Sequence, residues 1–198
     1  MDFPKNLPIP VNKIWAVYTY GSKVYGSFNE KSDTDYIVIA EVKEKLEFHS
    51  ETEDIQVYPV RDFLKALDNH EIWALECVFI PKELKLEKTE FFKFSLDLNK
   101  LRESISQKSS HSWVKAKKKI EVEKDYLTGQ KSLFHSLRIL KFGIQIAKEG
   151  KIKNFAEANF YLKEIQEKPT HWETLKKDYQ KIYNSLKSEF KLLTPKND

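Results

Sequence analysis

The sequence predicts an α+β fold: a small mixed sheet with flanking helices, followed by a helical C-terminal half. Three observations predict it. Up to about Phe94, short runs of β-branched and aromatic residues alternate with turn residues. Beyond Phe94 the apolar residues recur at helical spacing. No internal repeat or low-complexity segment interrupts either half. The change of period divides the chain into 1–95 and 96–198.

Each element follows from local chemistry. Lys13 to Tyr20 reads as a strand, broken by Gly21-Ser22, and Lys23 to Ser27 reads as a short helix or turn. Asp33 to Ile39 is a second strand, and its Tyr36-Ile37-Val38-Ile39 run predicts burial on both faces. Asp54 to Tyr58 alternates polar and apolar residues as a third strand, and Pro59 ends it. Arg61 to Leu67 and Glu71 to Leu75 read as helices, and Pro81 closes the next apolar run. The second half predicts helices over Leu96–Ile105, Trp113–Tyr126, Gln130–Lys148, Phe155–Gln166 and Trp172–Phe190. Gly150 stands at the C-cap of the third of these, and the tail from Thr194 is expected to fray. Trp73, Trp113 and Trp172 fall within helical apolar patterns and are expected in cores rather than stacked on bases.

The 198 residues suit one domain or two small ones, and 40% hydrophobic with 32% charged residues excludes a disordered chain. A formal charge of +4 is mildly basic; it permits a polyanionic partner without requiring one. Cys77, the single cysteine, excludes a disulfide framework and a cysteine zinc site. It sits in the apolar run Ala74 to Ile80 and is expected to be a small buried residue. Met1 to Lys5 carries no apolar leader, and no run approaches the ~20 apolar residues that cross a bilayer. The expectation is a soluble cytoplasmic protein without a membrane partner.

The chemistry concentrates between Gly21 and Tyr36: Gly21-Ser22-Lys23-Val24-Tyr25-Gly26-Ser27-Phe28-Asn29-Glu30-Lys31-Ser32-Asp33-Thr34-Asp35-Tyr36. Gly21 lets the chain turn tightly after a strand. Ser22 offers a hydroxyl and a backbone N–H to an anion, and a helix from Lys23 onward adds further donors, which together cradle a phosphate. Asp33 and Asp35, two apart at a strand start, are expected to project from one face. Two carboxylates so close repel unless a cation lies between them, and hard oxygen ligands suit Mg²⁺ or Mn²⁺.

This pattern, Gly-Ser followed by a spacer and Asp-x-Asp, resembles the signature of the polymerase-β-like nucleotidyltransferase superfamily. Within it, Gly21-Ser22-x-x-Tyr25-Gly26, Ser32-Asp33-x-Asp35 and the later Lys131-x-x-x-His135-x-x-Arg138 are similar to predicted nucleotidyltransferases linked with RNA ligases in RNA repair. The likeness runs from about residue 15 to 160. It implies a catalytic domain over 1–95 with a helical region, 96–198, packing on it. It also implies Asp33 and Asp35 as catalytic metal ligands, an NTP as substrate, and a third acid on a neighbouring strand. Asp54 is the choice for that acid; Gln56, on the same face, and Glu51 and Glu53 nearby are the alternatives.

Lys131, His135 and Arg138 lie at i, i+4 and i+7, apart from the apolar face of Leu133, Leu137, Leu140 and Ile144. Spacing alone fits a solvated helix face; the resemblance implies contacts to the NTP phosphates, beside Gly21 and Ser22. Lys115, Lys118 and Lys119 on the preceding helix can attract an RNA or tRNA backbone, or serve solubility only. The functional expectation is therefore transfer of a nucleoside monophosphate from an NTP to a hydroxyl, on RNA or tRNA. The alternatives are a protein or small-molecule acceptor, and an inactive nucleotide- or partner-binding domain.

Overall fold

The computed structural model describes residues 4, 7–30, 32–86 and 92–195. Most of the Met1–Lys5 segment, Lys31 within the motif, and the tail beyond residue 195 lie outside the described residues. The chain divides into two compact units, Met1–Ser95 and Leu96–Asp198.

The first unit runs β1 (Ile14–Tyr20), α1 (Ser22–Tyr25), β2 (Thr34–Ala40), β3 (Leu46–His49), β4 (Glu53–Pro59), α2 (Val60–Asp68), α3 (Ile72–Phe79) and β5 (Lys85–Leu86). The sheet order is β3-β4-β2-β1-β5. β2 and β4 are parallel and every other pair is antiparallel, so the sheet is mixed as the sequence predicts. Sequence patterning missed β3 and β5. β3 is a four-residue alternation, Leu46-Glu47-Phe48-His49, hidden between charged neighbours, and β5 has only two residues.

Both faces of β2 are covered, which is why Tyr36 to Ala40 are all buried. One face packs Val17, Tyr36, Val38, Ala40, Ile55 and Val57 with Ile9 and Ile14. A register shift between Ile14 and Ala16 lets Ile14 and Val17 share that face. It turns Trp15 outward, where the indole donates to Glu41 at 3.1 Å. On the other face Tyr18 stacks on Phe63 of α2, and Tyr58 stacks on Trp73 of α3 with ring centres 4.3 Å apart. Each fully buried Val, Ile or Phe here contributes roughly 1.5–3 kcal/mol relative to exposure. Pro59 ends β4 and caps α2, where its missing N–H costs no helical hydrogen bond.

The second unit contains α4 (Leu98–Glu121), α5 (Tyr126–Glu149), α6 (Asn159–Glu167) and α7 (Trp172–Leu193). The two helices expected over Leu96–Ile105 and Trp113–Tyr126 are one 24-residue helix. The polar stretch between them, Gln107 to Ser112, reads locally as a loop, yet Ser109 and Ser112 are buried. Ser109 donates to the carbonyl of Ser136 on α5 at 3.0 Å, so packing against α5 overrides local propensity. Gly150 ends α5 in the left-handed region at φ 71°, as its position implies. The helix expected from Phe155 starts only at Asn159, after a turn. Trp172 is buried and Trp113 stacks on Tyr183. Thr194 is not frayed: it is buried and its hydroxyl donates to the Phe190 carbonyl at 2.8 Å. No helix among the described residues is long and apolar enough to cross a membrane.

Candidate functional site

The site is built where β1 turns into α1 beside the starts of β2 and β4. Gly21 has φ 69°, a conformation that L side chains rarely adopt. A Cβ on Gly21 would lie 1.8 Å from Oδ2 of Asp35, so the turn is pressed against that carboxylate. The glycine of the Gly-Ser pair is thus required twice, by its dihedral and by the close approach. Ser22 opens α1 and is half-buried. α1 is only four residues long, a single turn, so its dipole adds less to an anion cradle than the sequence suggested.

Asp35 lies in β2, directly beside Asp54 of the parallel strand β4. Paired residues of neighbouring strands point to the same face, with strands about 4.8 Å apart. Asp35 and Asp54 therefore share one face, with Tyr20 across β1 on the same row. Asp33 departs from expectation: β2 begins at Thr34, so Asp33 sits one residue before the strand and is exposed. Strand alternation does not fix where its side chain points.

The alternatives for the third acid separate cleanly. Glu53 pairs with Thr34, so its face is opposite to that of Asp35 and Asp54. Glu51 is exposed before β4 begins. Gln56 shares the Asp54 face but pairs with Ile37, and its Oε1 accepts from Tyr58 at 2.9 Å. Asp54 is the acidic side chain of β4 that stands next to Asp35.

Three neighbours were not singled out from the sequence. His49 of β3 pairs with Asp54, and its Nδ1 is 3.2 Å from Asp54 Oδ1, an oxygen otherwise shielded from solvent. Lys23 of α1 donates to the Thr34 hydroxyl between the two motif aspartates. Glu76 of α3 is buried and accepts from the hydroxyls of Tyr20 and Tyr25, the residues that bracket the Gly21 turn; the Tyr25 bond is 3.0 Å. Burial, followed by the Glu76 charge, pushes the Tyr20 hydroxyl well above the usual phenol range. Burial pushes Cys77 up as well, so this buried cysteine is a poor nucleophile. Tyr20, Tyr25 and Glu76 meet only through tertiary packing, which no local spacing reveals.

A divalent cation can be tested against these groups. Among the described residues, no group of three or more His, Cys, Asp or Glu side chains is arranged to hold a metal. Two adjacent carboxylates do suit Mg²⁺, which takes one or two protein carboxylates and completes its shell with water and substrate phosphate oxygens. The residues present fit that kind of site.

In the second unit, Lys131 is exposed, His135 is half-buried and Arg138 is buried. They do not form the uniform stripe that spacing implied. Arg138 Nη2 donates to His135 Nδ1 at 2.7 Å, and its guanidinium lies over the Phe134 ring. Burial, then the charges of Arg138, Lys108 and Lys115, hold His135 well below the usual imidazole range. Of the lysines expected to meet RNA, Lys118 pairs with Glu123 at 3.1 Å and Lys119 with Glu123 at 2.6 Å and Asp125 at 3.3 Å. Lys115 is exposed and joined to no acid among the described residues.

No protein-family model matches the chain, and no curated protein matches it significantly. Among solved structures, the chain is similar to a spectinomycin adenyltransferase from Enterococcus faecialis, crystallised with ATP and spectinomycin. That likeness has a TM-score of 0.45 and 12% identity, and covers 91% of this chain and 93% of that one. A similarity this loose says nothing about substrate or mechanism.

Proposed function

We propose that the chain is a metal-dependent nucleotidyltransferase that moves a nucleoside monophosphate from an NTP to a hydroxyl acceptor. The observation that carries this reading is the placement of Asp35 beside Asp54 on parallel strands, with the Gly21 turn pressed against Asp35. A buried structural role explains an isolated aspartate. It does not explain two carboxylates in register under a glycine whose Cβ would collide with one of them. The motif resemblance, Gly21-Ser22 with Asp33-x-Asp35, supports the same reading.

In this proposal Asp35 and Asp54, with Asp33 of the same motif, would hold Mg²⁺ or Mn²⁺, which would neutralise charge on the transferred phosphoryl group. Ser22 contacts the phosphates. The acceptor oxygen bonds to the α-phosphorus, the bond to the bridging oxygen of the β-phosphate breaks, and pyrophosphate leaves. The hydroxyl proton passes to a carboxylate; Asp54, with its shielded Oδ1, is the group assigned to hold it. In the second unit, Lys131 and His135 are assigned to phosphate recognition, with Arg138 holding the His135 ring.

RNA or tRNA is the first acceptor to test, on the charge of the second unit. One observation favours a protein or small-molecule hydroxyl instead: Lys118 and Lys119 are already neutralised by Glu123 and Asp125. The chain is incubated with each α-labelled NTP, Mg²⁺ or Mn²⁺, and mixed tRNA, and RNA and protein are read on one gel. Label on RNA supports the first acceptor and label on protein the second. No metal-dependent transfer to RNA, protein or added small alcohols contradicts the assignment.

A further inference from the structure

Acids are distributed unevenly along α4 and α5. Lys117, Lys118, Lys119, Lys141 and Lys148 pair with Glu121, Glu123, Asp125, Glu157 and Glu189. Lys108, Lys115 and Lys131 pair with no acid among the described residues. Lys108 and Lys115 are seven apart on α4 and so share one helix face. The bond from Ser109 to the Ser136 carbonyl joins the two helices one residue from both Lys108 and His135. Lys108 and Lys115 both act on the His135 ring.

The His135 ring has a defined polarity. A guanidinium can only donate, so Nδ1 accepts from Arg138 and the proton of the neutral ring sits on Nε2. His135 therefore presents an N–H donor among cations that repel one another unless an anion joins them.

The geometry points to an oxyanion site on this face of the helical unit, in which His135 Nε2–H, Lys108 and Lys115 take the end of a phosphate monoester or polyphosphate. Arg138 is the positioning residue: it fixes the tautomer of His135 rather than reaching the ligand. Lys108 and Lys115, not Lys118 and Lys119, complete the site. That the natural ligand is a polyphosphate rests on the transferase reading; the oxyanion site itself does not.

The test uses the full chain with inorganic pyrophosphate and no metal, followed by calorimetry and nitrogen-detected NMR of the histidines. Wild type is expected to bind, with the His135 resonances shifting and the Nε2–H tautomer present throughout. The exposed double change K108Q/K115Q is expected to weaken binding by about tenfold or more, since charge-assisted bonds are lost. Arg138→Lys is expected to keep the charge and lose the single tautomer. K118Q/K119Q, whose lysines are paired with Glu123 and Asp125, is expected to bind pyrophosphate like wild type; no metal or NTP is present, so a failed transferase reading leaves this result standing. Absence of binding, or binding by K108Q/K115Q at wild-type strength with His135 unmoved, overturns the site. An RNA oligonucleotide without a terminal phosphate that displaces pyrophosphate at equal affinity overturns the terminal-phosphate assignment.

Discussion

Gly21 holds φ 69° against the Asp35 carboxylate, and any side chain there meets both a strained dihedral and an oxygen 1.8 Å away. Gly21→Ala is expected to destabilise the first unit by about 1–3 kcal/mol, measured by denaturant unfolding, because backbone strain and overlap add. Asp35→Asn is expected to reduce nucleotidyl transfer by at least ~100-fold with an unchanged circular dichroism spectrum, as charge stabilisation is lost. Asp54→Asn should lower turnover far more than nucleotide affinity, with Gln56→Ala milder. A harmless Asp54→Asn beside a damaging change at Glu53 contradicts the β4 register as the basis of the site. At this scale the sequence shows Gly21, Ser22, Asp33 and Asp35 because they are close in the chain. Asp54 was reachable because its strand alternates. His49 and Glu76 were not, since only strand pairing and helix packing bring them to the site.

The helices of the second unit show what local patterning leaves out. Gln107 to Ser112 carries no apolar signal, yet α4 runs through it because the small side chains of Ser109 and Ser112 admit α5 closely. Gly143 of α5 serves the same end: a Cβ there would lie 2.8 Å from Ile105 and 3.0 Å from Phe190. Gly143→Ala is expected to cost about 1–3 kcal/mol by overpacking, seen as a lower midpoint in urea with an unchanged slope. Asp125 caps α5 by accepting from the Thr128 N–H at 3.2 Å. Its carboxyl is held below the usual range by the Thr128 side chain first, then the Thr128 backbone and Lys119. A lowered folded pKa gives stability that is present above the unfolded value of 3.8 and lost as pH falls through the folded value. Asp125→Ala should therefore destabilise the protein at pH 7 and shrink the stability lost on acidification below about pH 4. Equal acid sensitivity of the two proteins contradicts this role of the cap. Gly150 and the apolar periods of α5 were legible because they depend on local geometry alone.

For the whole molecule, the +4 charge is less informative than its distribution. Acids neutralise Lys118 and Lys119 but leave Lys108, Lys115 and Lys131. If the chain binds RNA, K118Q/K119Q should leave the salt dependence nearly unchanged, whereas K115Q should flatten the slope by roughly 0.7–0.9, one phosphate contact, by fluorescence anisotropy. A slope flattened by K118Q/K119Q places the backbone on the lysines that the structure shows to be paired. Composition alone allowed a polyanion partner, but which lysines are available depends on acids brought near by the fold.

The claim on which the functional account turns is that Asp35 and Asp54 together hold a divalent cation. Manganese titration of wild type, Asp35→Asn and Asp54→Asn, followed by electron paramagnetic resonance with a non-hydrolysable NTP present, reads it directly. One or two carboxylates with substrate phosphates are the expected shell. Wild type should bind Mn²⁺ with nucleotide, and each variant should bind at least about tenfold more weakly, as for loss of a charged ligand. Folded variants that bind Mn²⁺ as wild type does, or a wild type that binds none, contradict the account.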